Sequence, residues 1–445
     1  MEFENNDETK GRVKQIYKKE RKCCICMVCD FFYPNMGGIE IHIFELSKEL
    51  IKRGFKVIVV THCYGNRHGV RWMGNGIKVY YLPLQVMTDA VTFPNFIGVL
   101  PLCRNIIFRE KVDIVHGHQA GSPLTQQFIL HAKTLGVKTV YTDHSLYSFS
   151  ESGCLHLNKL LRHCVHDVDH SICVSHANRE NFILRTQVHP YKTSVISNAI
   201  DSTKFVPWIN KRPASPRINI IIISRLTYRI GVTLIAKVIP LVHQKYPFID
   251  FIIGDGPKRI ILEEMREKYR LHNSVILLGK IKQEEVQSIL QTGHIFLNAS
   301  LTEAFCIAII EAASSGLLVV STNVGGTSEV LPPDMIILAK PDPIELSKAV
   351  DQALLKLKDV DVNLFHDRVS YRTIMLSHYA YFSLKRFLIL PHFQLSKMYS
   401  WKKVAEKTEK VYMNVMSYSN ETLLNRIQTM YDNNTLFSTA LKIGK

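Results

Sequence analysis

The chain has no run of roughly 18 apolar residues, so no membrane-spanning helix is expected. Its longest candidate, Phe93 to Phe108, is broken by Asn95, Arg104 and Asn105. The N-terminus is acidic, then basic, without the apolar stretch of a secretory leader. Acidic residues are in short supply. There are 39 Asp and Glu against 55 Lys and Arg, a formal net charge of +16. That balance favours an anionic partner: nucleic acid, a phosphorylated substrate or an acidic membrane surface. No recognised module or aromatic-basic platform for nucleic acid is present, so nucleic-acid binding is not expected. Regular cysteine spacing is missing too, and ten scattered cysteines point to reduced thiols. Cys23, Cys24, Cys26 and Cys29 contain C-x-x-C pairs, but the run CCICMVCD is apolar and reads as a strand. Buried thiols, not zinc ligands, are expected there.

What is present is an alternation of short apolar strands and helical segments. Residues 1–22 are polar, with seven Lys or Arg and one Glu between Lys10 and Lys22. They read as a flexible basic tail, either simply solvated or in contact with anionic lipid. Ile25 to Val28 is the first strand, followed by the loop Phe31 to Gly38 and a helix over Ile39 to Lys52. Gly37 and Gly38 allow close approach of a ligand to a helix N-terminus, or serve an ordinary strand-to-helix turn. Phe55 to Thr61, Val79 to Leu82, Ile114 to His116, Thr139 to Thr142 and Ser171 to Val174 continue the series. Leu124 to Leu135 is an intervening helix. Ser175 is placed to cap the helix that follows it. The alternation predicts α/β architecture with a doubly wound parallel sheet. Three prolines between Pro207 and Arg217 mark a linker. Strands recur at Ile218 to Ser224, Phe248 to Ile253 and Val275 to Leu278, which predicts a second domain of the same kind.

The most informative stretch runs from His294 to Gly326. A strand ends near Leu297, and helical spacing sets in from Phe305. Gly316 is placed for a left-handed helix end, and Leu317 to Val320 returns as a buried strand. Glu303 precedes the helix and Glu311 lies six residues beyond Phe305, roughly 9 Å along the axis. A diphosphate at the helix start would leave ribose hydroxyls near Glu311 and sugar hydroxyls near Glu303. The alternative is an acidic residue favoured by the helix dipole plus one exposed helix Glu.

The segment S-L-T-E-A-F-C-x-A-I-x-E-A resembles the signature of the retaining glycosyltransferases of family 4. ICMVCDFFYPNMGGIE, YTDHSL, ISNAIDSTKF, FIIGDGPKRIILEE and GHIFLNASLTEAFC narrow the likeness to the phosphatidylinositol N-acetylglucosaminyltransferase catalytic subunits. The resemblance covers about residues 24–358 and a short stretch near 398–412. It implies the GT-B fold, two Rossmann-like doubly wound domains facing a cleft. An acceptor domain would span 23–206, the linker 207–217, a nucleotide-sugar domain 218–358 and a partly divergent helical segment 359–445. It implies transfer of N-acetylglucosamine from UDP-N-acetylglucosamine to phosphatidylinositol, the first step of glycosylphosphatidylinositol anchor synthesis. No cofactor and no metal are implied. The expected setting is the cytosolic face of the endoplasmic reticulum membrane, peripherally attached, with other subunits of the transferase complex.

The resemblance also assigns residues. Arg225 would hold the diphosphate, Glu311 the ribose and Glu303 the sugar, with Gly254, Lys258, Phe305 and Cys306 also on the donor. His144 and the Gly37-Gly38 loop would shape the reacting centre, and His116 would sit on the acceptor side. Zinc is not expected at His116 and His118, because spacing supplies no third ligand. Asn198 is a candidate to face the cleft, and a late helix through Trp401 and Tyr412 would cross back to the first domain. One position departs from the pattern. The family places a Lys five residues after Arg225, and this chain has Ile230. Losing a cation beside a diphosphate removes stabilisation commonly of a few kcal/mol. The alternative is therefore an impaired homologue with a nucleotide-sugar-binding or regulatory role. Arg229 is basic, but a neighbouring helix position would face about 100° away.

Overall fold

Strands form where β-branched and apolar residues run together, and parallel pairing buries both of their faces. The computed structural model describes residues 22–149, 151–201, 203–208, 211–213, 217–359, 395 and 398–419. The first sheet takes β1 (Cys24–Val28), β2 (Lys56–His62), β3 (Gly69–Trp72) and β4 (Lys78–Leu82). A separate hairpin follows, β5 (Val86–Thr88) and β6 (Val91–Thr92). The sheet is completed by β7 (Ile114–His118), β8 (Lys138–Asp143), β9 (His170–Cys173) and β10 (Thr193–Val195). Its order is β10-β9-β8-β7-β1-β2-β4-β3, with β3 alone antiparallel to its neighbour.

The second sheet is β11 (Ile218–Ile222), β12 (Ile249–Ile253), β13 (Val275–Leu277), β14 (Ile295–Asn298), β15 (Leu318–Thr322) and β16 (Ile336–Ala339). The order β13-β12-β11-β14-β15-β16 is parallel throughout. Two doubly wound sheets are thus present, as the sequence predicts.

Several details differ from the sequence expectation. The interrupted apolar run near Phe93 is the helix Phe96–Glu110, which buries Val99, Cys103, Ile106 and Ile107 and exposes Ile97 and Phe108. The edge strand β3 and the hairpin β5-β6 carry no clear period-2 apolar signal, and periodicity does not predict them. Among the described residues no helix is long and apolar enough to cross a membrane. Cys24, Cys26 and Cys29 are buried free thiols, whereas Cys23, just before β1, is only partly buried. Gly316, at φ +85°, does end its helix in the left-handed region.

The late helix Trp401–Ser417 packs on the first domain. Its Tyr412 is fully buried against Phe55, and its Glu409 pairs with Arg53 and Lys22. Tyr399, just before it, donates to the Val330 carbonyl of the second domain at 2.6 Å. One apolar cluster consequently runs from β1 through Trp401 and Val404 to Phe305 and Ile309. Of the expected segments, residues 1–21, 360–394, 396–397 and 420–445 lie outside the described residues. So do 209, 210 and 214–216 of the linker.

Candidate active site

In the first sheet β1 lies between β7 and β2, and in the second β11 lies between β12 and β14. The winding reverses at these strands, so the loops beyond their carboxyl ends diverge and leave a crevice. Most of the candidate residues fall on those loops.

On the donor side, the helix that the spacing starts at Phe305 begins two residues later, as Ile307–Ser314. Phe305 instead packs against the Tyr399 ring, 5.7 Å between centroids. Cys306 is the extended residue before the first turn, and no side chain caps that start. Glu311 is then four residues into the helix, about 6 Å along the axis and not 9 Å. Burial pushes its carboxyl up to about 7. Burial also raises Glu303, against the opposing effects of a Ser300 hydrogen bond and the Arg229 charge. The Gly325-Gly326 turn seats this loop. Gly326 N–H donates to the Glu303 carbonyl at 2.8 Å, and a Cβ on Gly326 would fall 2.1 Å from the Ala304 carbonyl oxygen.

Three cations lie on the loops after β11 and β12, in the sheet that holds β14. Arg225 follows β11 with an exposed side chain, and its Nη2 lies 3.8 Å from Asp89 on the β5-β6 hairpin of the other domain. Lys258 stacks over Tyr228 with Nζ 4.5 Å from the ring centre. The loops holding them are stitched by Leu226 N–H to Asp255 O at 3.1 Å and Lys258 N–H to Leu226 O at 3.0 Å. Gly254 follows β12 and is tied to Ile222 in the same way. The third cation is Arg229. Its segment precedes the helix Val232–Lys245, so helical angular spacing does not govern its direction. Its guanidinium donates to Leu146 O of the first domain at 2.8 Å and lies near enough to Glu303 to favour that carboxylate. Ile230 beside it is partly buried and carries no charge.

On the first-domain side, a Cβ on Gly38 would sit 3.4 Å from Ile307 Cδ1. The glycine loop therefore meets the start of the donor helix. His144 follows β8 and lies in a group with His42 and His118. His118 Nδ1 and His144 Nε2 are 3.2 Å apart, and the His42 and His144 rings are 4.7 Å apart. Burial lowers all three, His42 to about 4, so they are neutral near pH 7. Asn198, a cleft candidate in the sequence, is buried and bonds His42 Nδ1 at 2.8 Å. His116 does not reach the crevice. It is fully buried, with Nδ1 on Tyr412 Oη at 2.6 Å and Nε2 on Thr142 Oγ1 at 2.7 Å. Both nitrogens are engaged, so its place is in the contact between the first sheet and the late helix.

Sequence reasoning missed the supports of this site. Asp143, one residue before His144, is fully buried and pairs with Arg185, with Asn178 Nδ2 and Tyr141 Oη each at 3.0 Å. Glu329 reaches across the crevice and accepts from the His176 and Ala177 amides at 2.6 and 2.8 Å, at the start of the helix His176–Thr186. Ser175 caps that helix at Asn178 N, 3.0 Å, and donates to Ala304 O at 2.7 Å. Partners so distant in the chain leave no spacing signal. Only the Ser175 cap, expected from its place before the helix, and the adjacency of Asp143 to His144 are readable in the sequence.

Residues 62–151 match the family described as PIGA (GPI anchor biosynthesis), and residues 208–361 match glycosyl transferases group 1. The chain is 47% identical over 407 residues to a phosphatidylinositol N-acetylglucosaminyltransferase subunit of Arabidopsis thaliana, spanning 91% of this chain and 85% of that one. It is 48% identical over 389 residues to the corresponding Homo sapiens protein, spanning 87% and 75%. Among solved structures, it resembles sucrose-phosphate synthase from Thermosynechococcus elongatus, with TM-score 0.71, 17% identity, and 89% and 100% of the two chains covered. It also resembles the catalytic domain of starch synthase IV from Arabidopsis thaliana bound to ADP and acarbose, with TM-score 0.65, 15% identity, and 89% and 100% covered. The fold is GT-B.

Proposed function

Because the chain belongs to the PIGA family of phosphatidylinositol N-acetylglucosaminyltransferase subunits, we propose that it transfers N-acetylglucosamine from UDP-N-acetylglucosamine to phosphatidylinositol with retention at the anomeric carbon. In this reading Glu311 accepts from the ribose hydroxyls and Glu303 from the sugar. Arg225, Arg229 and Lys258 surround the diphosphate, with the start of the helix Ile307–Ser314 completing the charge balance. No resident metal is needed, because these groups neutralise the leaving diphosphate. His144, held neutral, donates a hydrogen bond at the reacting centre, and Gly37 and Gly38 let the acceptor come close. Catalysis is then mainly positioning and leaving-group stabilisation. The relatives are named as subunits, so the chain works with other subunits. The pathway in the family description favours the cytosolic face of the endoplasmic reticulum membrane as the place of action.

The observation that carries this reading is the position of Arg229. Its guanidinium donates to Leu146 O across the crevice at 2.8 Å and its charge favours the Glu303 carboxylate, which supports a role for it where Ile230 carries no charge. The impaired-homologue reading rests on Ile230, and a transfer assay separates the two. The test is transfer of labelled sugar to phosphatidylinositol in membranes deprived of their own catalytic subunit. The unmodified chain should make product. Arg229→Ala should lower kcat about 100-fold, as loss of one charge-stabilising donor does. Ile230→Lys should restore part of the loss. Product from Ile230→Lys but not from the unmodified chain would instead assign a nucleotide-sugar-binding role without transfer.

A further inference from the structure

The first domain has a concavity of about 680 Å³ that the reading above does not use. Its lining includes Pro34, Tyr64, Asn66, Arg67, Arg71, Trp72 and Tyr81. No carboxylate lines it, and among the described residues neither arginine enters an ion pair. Two uncompensated guanidinium groups in one concave site attract a phosphate, which each can hold through two parallel hydrogen bonds. Arg67 is held in place. Its backbone pairs with Tyr64 in both directions, at 2.9 and 3.1 Å, and its guanidinium lies 5.9 Å from the Tyr81 ring centre.

The location narrows the ligand. Pro34 belongs to the loop that ends at Gly37 and Gly38, where the first domain meets Ile307. Tyr81 Oη donates to Tyr33 O of that loop at 3.0 Å, so pocket and crevice share a wall. Every lining residue except Pro34 falls within residues 62–151, the part that matches the PIGA family. The proposed nucleotide apparatus lies instead in the part shared with group 1 transferases at large. The relatives are named for phosphatidylinositol, and the pocket lies in the segment that their family model matches. At the rim, Trp72 is 69% exposed and Val70 44%, both on the edge strand β3. An amphipathic ring there suits a membrane–water boundary.

We infer that this pocket binds the phosphodiester of an inositol lipid headgroup, with Arg67 and Arg71 on the phosphate and the cyclitol ring directed past Pro34 toward Gly37 and Gly38. The lipid's identity as acceptor rests on the transferase reading, whereas the binding does not. A soluble inositol phosphate shares the headgroup chemistry, so the experiment includes both.

The probe is glycerophosphoinositol, the headgroup without acyl chains, titrated calorimetrically into the full chain. Arg67→Ala and Arg71→Ala should each weaken binding about tenfold or more, the scale of one charge-assisted hydrogen-bonded contact. Arg71→Lys should recover only part, since a point charge lacks the fork. UDP affinity should stay unchanged in all three, which also shows that they fold. Inorganic phosphate should bind more weakly than glycerophosphoinositol. Cosedimentation should favour phosphatidylinositol vesicles over phosphatidylserine vesicles, and the alanine variants should lose that preference. Unchanged glycerophosphoinositol binding in both alanine variants overturns the site. Equal affinity for inorganic phosphate makes it a bare anion site, and no vesicle preference assigns it to a soluble polyol phosphate; either result overturns the lipid proposal. A chain that binds glycerophosphoinositol through both arginines yet transfers no sugar keeps the pocket and loses the transferase reading.

Discussion

Replacing Glu311 by Gln probes the donor site and its electrostatic cost together. Burial raises the Glu311 carboxyl from 4.5 to about 7. The folded protein therefore holds a proton that the unfolded chain releases between those values. Stability from the neutral form is fully present below the unfolded value and is lost as pH rises through about 7. A shift of that size corresponds to about 3 kcal/mol at most. Glu311 is partly exposed by area, so screening lowers the realistic figure to about 1–2 kcal/mol. Glu311→Gln should stabilise the free protein by that amount at pH 8 and change little at pH 5. UDP binding should respond in the opposite sense. The ribose hydroxyls donate to the charged carboxylate, so binding of UDP-N-acetylglucosamine, whose doubly esterified diphosphate does not titrate near pH 6.5, expels the carboxyl proton there. Calorimetry in two buffers of different ionisation enthalpy should register that release, and Glu311→Gln should abolish it. The variant should also bind UDP about 10–100-fold more weakly at pH 8, the range for a lost hydrogen bond to a charged group. A destabilised variant at pH 8, or UDP-N-acetylglucosamine binding near pH 6.5 without proton release, would mean that Glu311 is not a protonated ribose partner.

Two further substitutions test the frame around the site. Gly326→Ala brings a Cβ to 2.1 Å from a backbone oxygen, which cannot swing away. It should destabilise by about 1–3 kcal/mol through forced overpacking, seen as a lower denaturant midpoint, with UDP affinity falling as the Glu303 loop shifts. Tyr412→Phe removes the partner of His116 Nδ1 inside a fully buried contact. It should cost about 1–3 kcal/mol and raise amide exchange in the late helix; an unchanged exchange profile would mean that this bond does not hold the helix down.

The legible parts of the chain are those whose physics is local. β14, the helix Ile307–Ser314 and β15 can be read because parallel strands buried on both faces are continuously apolar and glycine ends the helix. Glu303 and Glu311 are legible for the same reason, since their relation is a spacing along one short unit. His116 is not. Its strand-end position suggests the crevice, but Tyr412, far away in the sequence, takes its free nitrogen. Arg229 escapes as well, because a helical angle does not apply to a residue that lies before the helix.

Fold class, family and the strand–helix–strand unit that carries Glu303 and Glu311 were legible in the sequence, because periodicity and contiguous motifs report on neighbours in the chain. Only the tertiary structure supplied the long-range contacts: Arg229 on the Leu146 carbonyl, the histidines gathered around His144, and the clasp of the two domains by Glu329 and Ser175. It alone gathered Arg67 and Arg71 with Pro34 into one pocket. Such contacts join residues separated by tens to hundreds of positions. They are fixed by the packing of two sheets and a returning helix, which no local pattern encodes.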